Sequence, residues 1–267
     1  MPHMQPPSPA RLSPWVVAVA CAAVAPAGAG GAAAAGAAES DRVVHMVTLQ
    51  PGQALAIAIT VGTIRVTGEP GRRDVRLEIV RQAPTVAALA HAPVELEASP
   101  AGPRLTVVQA DGNADAAIRS DVVVSAPVDV RLDAISIAEG RLELRRVHGA
   151  VRATVARGAI EAVDVSGVLR LETTIGPLDV TGARLEANGL FRLRAFNGDV
   201  RLALAAPLVD TRVMALALNG TIRSAVPLTT KEGWGPRWGE ATIGSPDRVL
   251  SIDVVTGAIR IEAPGRR

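Results

Sequence analysis

The 267-residue chain carries a formal net charge of +2, one cysteine, and aromatic side chains at only 2% of its positions. One cysteine cannot form an internal disulfide, so a disulfide-stapled scaffold is excluded. The scarcity of aromatics and the lack of a clustered basic run argue against nucleic-acid binding. The pI near 9.4 does not indicate a basic surface. The chain has no tyrosine and a single lysine, so almost nothing titrates between its carboxylates and its arginines.

Residues 1–38 predict a secretory signal followed by an Ala/Gly-rich segment. Arg11 is the only arginine, lysine or acidic residue among them, and an apolar run leads to small residues such as Ala35-Gly36-Ala37. This order is typical of a cleaved signal, so we expect export and cleavage near residues 37–38. An uncleaved membrane anchor is the alternative, although Pro14 and Pro26 interrupt the apolar run.

Cys21 ends the sequence Ala18-Val19-Ala20-Cys21. This sequence resembles the site at which bacterial lipoproteins are cut and lipidated, except that Ala18 stands where leucine is usual. We favour ordinary signal cleavage and keep a lipid anchor on Cys21 as the alternative. Such an anchor would be the only membrane contact of the chain, with residues 22–38 as a flexible tether.

Residues 39–130 alternate apolar and polar side chains in short runs that are separated by loops. One complete strand phrase stands at Val61-Gly62-Thr63-Ile64-Arg65-Val66. We interpret this part as irregular first coils, or a cap, of one domain that covers residues 39–267. End repeats are expected to be atypical because one of their faces has no neighbour.

A glycine recurs at every ninth position in the middle of the chain. Each glycine begins the same phrase of glycine, any residue, an aliphatic residue and a charged residue, which alternates like a half-buried strand. Glycine suits a recurring tight turn because it adopts positive φ without a steric penalty. The glycines of this series are Gly140, Gly149, Gly158, Gly167 and Gly176.

Nearly identical phrases are best stacked in register, with two phrases in each coil. One coil then extends from Gly140 to Gly158, and the later steps from Gly176 to Gly198 and from Gly198 to Gly220 are slightly longer and equal to each other. The prediction is an all-β, single-domain parallel β-solenoid (a β-helix or β-roll) of roughly 18–22 residues per coil, most regular over residues 131–267. Parallel connections are right-handed as a rule, so we expect a right-handed coil. A hairpin meander is the alternative, because Asn-Gly pairs are typical hairpin turns.

The charged position of the phrase predicts two ladders. If alternate phrases stack, Glu143, Glu161 and Asp179 form an acidic ladder on one face. The same stacking forms a basic ladder on the other face, from Arg152, Arg170 and Arg192. Like charges opposite one another repel, so one hypothesis is that the acidic ladder binds a cation or a cationic partner.

The alternative for the acidic ladder, which we favour, is a solvated face on which Arg141 and Arg145 screen the acids. The Gly-Gly-x-Gly-x-Asp turns of calcium-binding rolls are absent from the sequence. We therefore expect neither structural calcium nor any other cofactor.

Residues 231–240 form the longest break in the late repeat and contain Trp234, Arg237 and Trp238. Two exposed indoles beside an arginine could stack on a sugar or anchor a protein partner. The alternative is that the indoles only cover the side of the solenoid, because large aromatic side chains usually bury area.

No catalytic constellation is evident. His45, His91 and His148 are isolated from one another, and neither a paired metal motif nor a Gly-x-Ser-x-Gly sequence occurs. We therefore expect a protein that is not an enzyme.

The chained phrases of residues 135–202, the sequence 219–223 and the closing 254–261 resemble the putative-adhesin domains of unknown function, a family of bacterial envelope proteins. The opening strand at 43–49 and the phrase at Gly62 are also similar to that family. The resemblance covers residues 41–263. It implies a β-solenoid that is secreted or envelope-bound, and it carries over no catalytic residues.

These patterns together predict an exported, non-enzymatic scaffold in the periplasm, cell envelope or extracellular space, with an envelope protein or a glycan as its partner. Two alternatives remain open. One is a β-helix enzyme acting on an extracellular polysaccharide, which would need carboxylates and stacking aromatics in a groove. The other is a filament formed by end-to-end self-association of coils.

Overall fold

The structure is a computed structural model that describes residues 38–109, 118–231 and 235–264. The predicted signal, Cys21 and Trp234 lie outside the described residues. Within the described ranges the chain forms strands and one short helix, α1 (Val86–Leu89). In that helix the Thr85 hydroxyl accepts a hydrogen bond from the Ala88 amide. None of the helices described is long and apolar enough to span a bilayer.

Sixteen strands are formed by the described residues. The first eight are β1 (Glu39–Val47), β2 (Leu55–Glu69), β3 (Val75–Ala83), β4 (Glu95–Ser99), β5 (Gly102–Val107), β6 (Arg119–Pro127), β7 (Leu132–Val147) and β8 (Val151–Val165). The other eight are β9 (Val168–Ile175), β10 (Leu178–Ala183), β11 (Leu190–Asn197), β12 (Val200–Leu204), β13 (Thr211–Ser224), β14 (Thr229–Lys231), β15 (Arg237–Ile243) and β16 (Arg248–Glu262).

The strands pair in two rows, because each long strand is divided by a glycine. Row A contains the segments before these glycines, in the order β5, β2, β7, β8, β9, β11, β16, β13, with β15 and β14 added antiparallel at its end. Row B contains the segments after them, in the order β6, β2, β7, β8, β10, β12, β16, β13. The rows join in one sheet, and β8, β9, β11, β16, β12 and β10 close a ring of six strands. The prediction of an all-β chain with parallel strands is confirmed.

The glycine series separates into two columns. Gly140, Gly158 and Gly176 stack in one column, and a Cβ on Gly158, whose φ is +136°, would lie 1.7 Å from the carbonyl oxygen of Gly140. Gly149 and Gly167 stack at the opposite turn, where a Cβ on Gly167 would lie 2.8 Å from the Gly149 oxygen. Glycine is required in the first column because any side chain would collide with the backbone of the preceding repeat.

The end of the stack differs from the prediction. The equal steps from Gly176 to Gly198 and from Gly198 to Gly220 predicted that Gly198 and Gly220 are neighbours, and this is wrong. The C-terminal strand β16 lies between β11/β12 and β13, parallel to both, so Gly257 separates Gly198 from Gly220. The reason is that β16 carries the same phrase as β13, while β13 is held on its outer side by the antiparallel strand β15.

Residues 39–130 build the other end. On row B, β6 is followed by the antiparallel strands β3 and β1, and on row A the hairpin β4–β5 lies against β2. The phrase at Gly62 pairs with Gly140, while β5 and β6 pair with the other side of β2. The chain therefore extends both rows on one side of β2 before it continues on the other side at β7.

One continuous core fills the space between the rows. Val, Leu, Ile and Ala from both rows form it, and Phe191 is the largest of its fully buried side chains. Inward and outward side chains alternate along β11, where Phe191, Leu193 and Ala195 are buried and the residues between them are exposed. Because the buried residues fix the orientation of the strand, the residues between them must face outward.

Candidate functional site

The register brings the predicted acidic residues together on row B. Glu143 pairs with Glu161, and Glu161 pairs with Asp179. The column does not end there, because Arg65 precedes Glu143 and Arg201 follows Asp179. The three acids are thus enclosed between two arginines in the stacking direction.

Each acid has an arginine partner. Arg65 donates from Nε to Glu143 Oε2 at 2.8 Å, and this hydrogen bond, with the positive charges of Arg65, Arg141 and Arg145, lowers the pKa of the buried Glu143. Arg141 Nη1 lies 3.7 Å from Glu161 Oε2, and Arg201 Nη1 lies 3.4 Å from Asp179 Oδ2. Among the residues described, no group of three or more His, Cys, Asp or Glu could hold a metal ion.

Arg201 closes the acidic column. Arg201 also donates from Nη2 to Glu262 Oε2 at 2.8 Å. This hydrogen bond and the negative charge of Asp179 raise the pKa of Arg201 above its ordinary value. Asp179 keeps one buried oxygen, Oδ1, without a hydrogen-bond partner. This ladder is therefore an arginine-neutralised column, in which Arg65 and Arg201 lie against the acids as well as Arg141 and Arg145.

The basic residues also stack, on row A. Arg152 pairs with Arg170, and Arg170 pairs with Arg192. Arg152 Nε lies 3.5 Å from Asp133 Oδ1. Within the described chain, the side chains of Arg170 and Arg192 make neither an ion pair nor a hydrogen bond.

The tryptophan segment belongs to a hairpin. β15 runs antiparallel to β13, with Trp238 opposite Leu216 and Arg237 opposite Ala217. Trp238 is half-buried and Arg237 is exposed. Two of the three predicted contact residues, Arg237 and Trp238, therefore lie on β15, the next-to-last strand of row A, and Trp234 lies outside the described residues.

A groove on row A lies one strand from Trp238. It has a volume of about 290 Å³, and its apolar lining includes Phe196, which is 60% exposed, and Leu218, which is 40% exposed. Leu216 and Val255 are half-buried beside them, and the buried Ala195 and Val254 form the floor. We call Phe196, Leu216, Leu218 and Val255 the Phe196 groove.

The polar side of the groove is charge-balanced. Glu172, Arg194 and Asp253 lie side by side on β9, β11 and β16. Arg194 lies 3.7 Å from Glu172 and 3.9 Å from Asp253. Both carboxylates of this rim are thus tied to the same guanidinium, so the groove offers a neutral polar edge beside an apolar surface.

The sequence analysis did not single out this groove, although the signal was present. In Leu193-Arg194-Ala195-Phe196 the alternation that buries Leu193 and Ala195 places Phe196 on the outer face. The same alternation on β13 places Leu216 and Leu218 outside. What the sequence lacked was the position of β16, which brings Val255 between Phe196 and Leu218.

The described histidines lie apart from the groove. His148 Nε2 lies 3.8 Å from Asp164 Oδ1 at the turn side of the stack. Burial of His45 on β1 lowers its pKa, because desolvation disfavours the charged imidazolium. None of the three described histidines, His45, His91 and His148, lines the groove.

Comparison with known proteins gave structural similarity only. No family profile matches this chain, and no curated protein matches it. A putative cell adhesion protein from Clostridium sporogenes is 11% identical with a TM-score of 0.48, and the alignment covers 84% of this chain and 100% of that one.

Two further solved structures are also similar. A putative adhesin from Bacteroides fragilis is 13% identical with a TM-score of 0.32, covering 83% of this chain and 97% of its own. A putative adhesin from Parabacteroides distasonis is 9% identical with a TM-score of 0.25, covering 82% and 97%. These three similar structures are thus one putative cell adhesion protein and two putative adhesins.

Proposed function

We propose that this chain is an exported, non-enzymatic interaction scaffold of the bacterial cell envelope, and that it holds an envelope protein or a glycan at the Phe196 groove. The observation that carries this proposal is the exposure of Phe196, at 60%, beside Leu218 and next to the polar rim of Glu172, Arg194 and Asp253. Contiguous exposed apolar side chains with a polar rim are typical of binding sites.

We also infer that the two rows wind as a parallel solenoid. The support is that repeats one coil apart pair in register. In β7 and β8, Gly140 pairs with Gly158 and Leu142 pairs with Ile160. Long strands β2, β7, β8, β13 and β16 contribute to both rows, as a coil does. The closed ring of six strands then arises because β8 and β16 each belong to both rows.

The groove suits binding better than hydrolysis. Covering a phenylalanine side chain removes a large apolar surface from water, and each Å² is worth about 25 cal/mol. Aromatic anchors in a partly enclosed site commonly dominate interface energies. The groove carboxylates Glu172 and Asp253 both face Arg194, which favours a charge-paired rim over the two carboxylates that flank the scissile bond in glycoside hydrolysis.

Self-assembly is a second candidate, supported by an uncovered strand edge. The second half of β13, Thr221–Ser224, pairs with β16 alone, because β15 covers only Thr211–Ala217. An open edge can pair with another chain. Light scattering separates the two candidates: a mass that rises with concentration supports a filament, and a constant monomer mass contradicts it.

The test of the proposed function is crosslinking capture in cells with the tagged full-length chain. The variant Phe196→Thr/Leu218→Thr keeps residues that suit strands while removing the apolar surface. The control, Met46→Thr/Val209→Thr, removes two side chains that are 58% and 51% exposed elsewhere.

We expect one specific envelope protein or glycan to be captured by the wild type and the control and lost in the groove variant. Equal capture by all three would refute the groove as the binding site. Turnover of the captured glycan by the purified chain would overturn the non-enzymatic assignment.

A further inference from the structure

The outer face of row A carries an unused line of positive charge, which we call the arginine stripe and define as Arg152, Arg170 and Arg192. The three residues occupy directly paired positions on β8, β9 and β11. Adjacent strands lie about 4.8 Å apart, so the guanidinium groups are spaced along the stacking direction like charges on a linear polymer. All three side chains are exposed.

Nothing in the described chain neutralises the middle of this stripe. Arg152 has Asp133 at 3.5 Å, but neither the Arg170 nor the Arg192 side chain has an ion-pair or hydrogen-bond partner among the described residues. Like charges directly opposite each other on neighbouring strands are destabilising. An extended anionic ligand that contacted all three arginines at once would relieve the repulsion between them.

The surrounding charges distinguish the stripe from other arginines. Between the stripe and the groove lie two acids, Glu172 on β9 and Asp253 on β16. Both are tied to Arg194. On row B the column that contains Arg201 also contains Glu143, Glu161 and Asp179. The same column continues into a second line of paired arginines, Arg201, Arg260 and Arg223, in which Arg201 is already tied to Asp179 and Glu262. A polyanion therefore meets carboxylates along the row B column and meets none at the three positions of the stripe.

The stripe and the Phe196 groove form one surface. On β11 the outward residues in order are Arg192, Arg194 and Phe196. Arg194 lies on the polar rim of the groove, whereas Arg170 and Arg192 do not line it. An extended ligand, rather than a small molecule in a cavity, is what a line of arginines on an open strand face can accommodate.

We propose that the arginine stripe binds a linear acidic polysaccharide whose carboxylates follow the stacking direction of the strands. Guanidinium and carboxylate form bidentate, charge-assisted hydrogen bonds, and several weak contacts on one polymer reinforce each other. Single-stranded nucleic acid fits less well, because successive bases need a series of aromatic rings and Phe196 is the only aromatic on the outer face of β11. The inference rests on the proposed function only in that it names the partner class of the exported scaffold.

The test measures binding of the purified chain to polygalacturonate, a linear polyuronate, by affinity electrophoresis, with neutral dextran and oligo(dT) as comparison probes. The variant is Arg170→Gln/Arg192→Gln. The matched control, Arg223→Gln/Arg260→Gln, removes the same charge from two paired, exposed arginines of row B. Circular dichroism checks that all chains are folded.

We expect the stripe variant to lose roughly tenfold or more in affinity for polygalacturonate, and the control to change by less than about threefold. Wild-type binding should weaken as salt is added. Equal losses in the two variants, no wild-type binding to polygalacturonate, or tighter binding to oligo(dT) would each overturn the proposal. The Phe196→Thr/Leu218→Thr capture experiment is independent of this result, so failure of the stripe and failure of the groove are distinguishable.

Discussion

Glu143 accepts a hydrogen bond from Arg65 at 2.8 Å, although the two residues are 78 positions apart in the chain. They meet because β2 and β7 pair in register around Gly62 and Gly140. The contact neutralises the most buried acid of the column, whose side chain is 11% exposed. Arg65 thereby compensates for the repulsion that Glu161 exerts from the next strand.

Acid should weaken this contact. The folded-state pKa of Glu143 is lowered by the Arg65 hydrogen bond, so its stabilisation is complete above the ordinary pKa of 4.5 and is lost as pH falls through the lower, folded-state value. Glu143→Gln should cost about 1–2 kcal/mol at pH 7, and the gap from wild type should narrow below pH 4. Urea unfolding of wild type and Glu143→Gln at pH 7 and at pH 3 measures this difference in unfolding free energy.

Glu161→Gln is the control for this prediction, because its arginines lie no closer than 3.7 Å. Its effect at pH 7 should be smaller than that of Glu143→Gln. A gap between Glu143→Gln and wild type that stays constant from pH 7 to pH 3 would contradict the assignment.

Alanine in the glycine column should be far more damaging than alanine at a free turn. In Gly158→Ala the new Cβ would lie 1.7 Å from the Gly140 oxygen, whereas in Gly71→Ala, at φ +77°, nothing lies within 4 Å. Gly71→Ala should cost about 1–2 kcal/mol from backbone strain alone. Gly158→Ala should cost more than about 4 kcal/mol or prevent folding. Thermal unfolding compares them, and similar melting temperatures would refute the close stacking of the column.

The two phenylalanines of β11 should have opposite roles. Phe191 is fully buried, so Phe191→Ala should destabilise the fold by about 3–5 kcal/mol. Phe196 is 60% exposed, so Phe196→Ala should change stability by less than about 1 kcal/mol. Denaturant unfolding of both variants tests this contrast, and a large loss for Phe196→Ala would show that its ring is a core element.

Disulfide trapping can test the position of β16. In a Cys21→Ser background, Asn197→Cys/Thr256→Cys places cysteines at directly paired positions of β11 and β16, within the distance a disulfide spans. Asn197→Cys/Asn219→Cys places them on strands separated by β16, about 9.6 Å apart at ~4.8 Å per strand. Oxidation followed by a gel-mobility assay should show a disulfide only in the first variant. A disulfide in the second would place β13 directly on β11.

The sequence predicted the acidic and basic columns because a period-two strand fixes which residues face outward, and the spacing of the glycine phrases fixes which of them share a column. It could not predict that Arg65 meets Glu143, because the repeat is interrupted between β2 and β7. The sequence also could not predict that Phe196 and Leu218 share one groove. Val255 joins them from β16, which lies between two strands that are earlier in the chain.

The sequence by itself determined the all-β class, the parallel pairing of the regular repeats and the positions that only glycine can occupy. Those features depend on alternation and on backbone sterics, which are local properties. The tertiary structure alone decided the order of the last strands. β13 and β16 carry equivalent Gly-x-Ile-Arg phrases and could each pair with β11 and β12, so the choice rests on which arrangement also accommodates the hairpin of β14 and β15 on the free edge of β13.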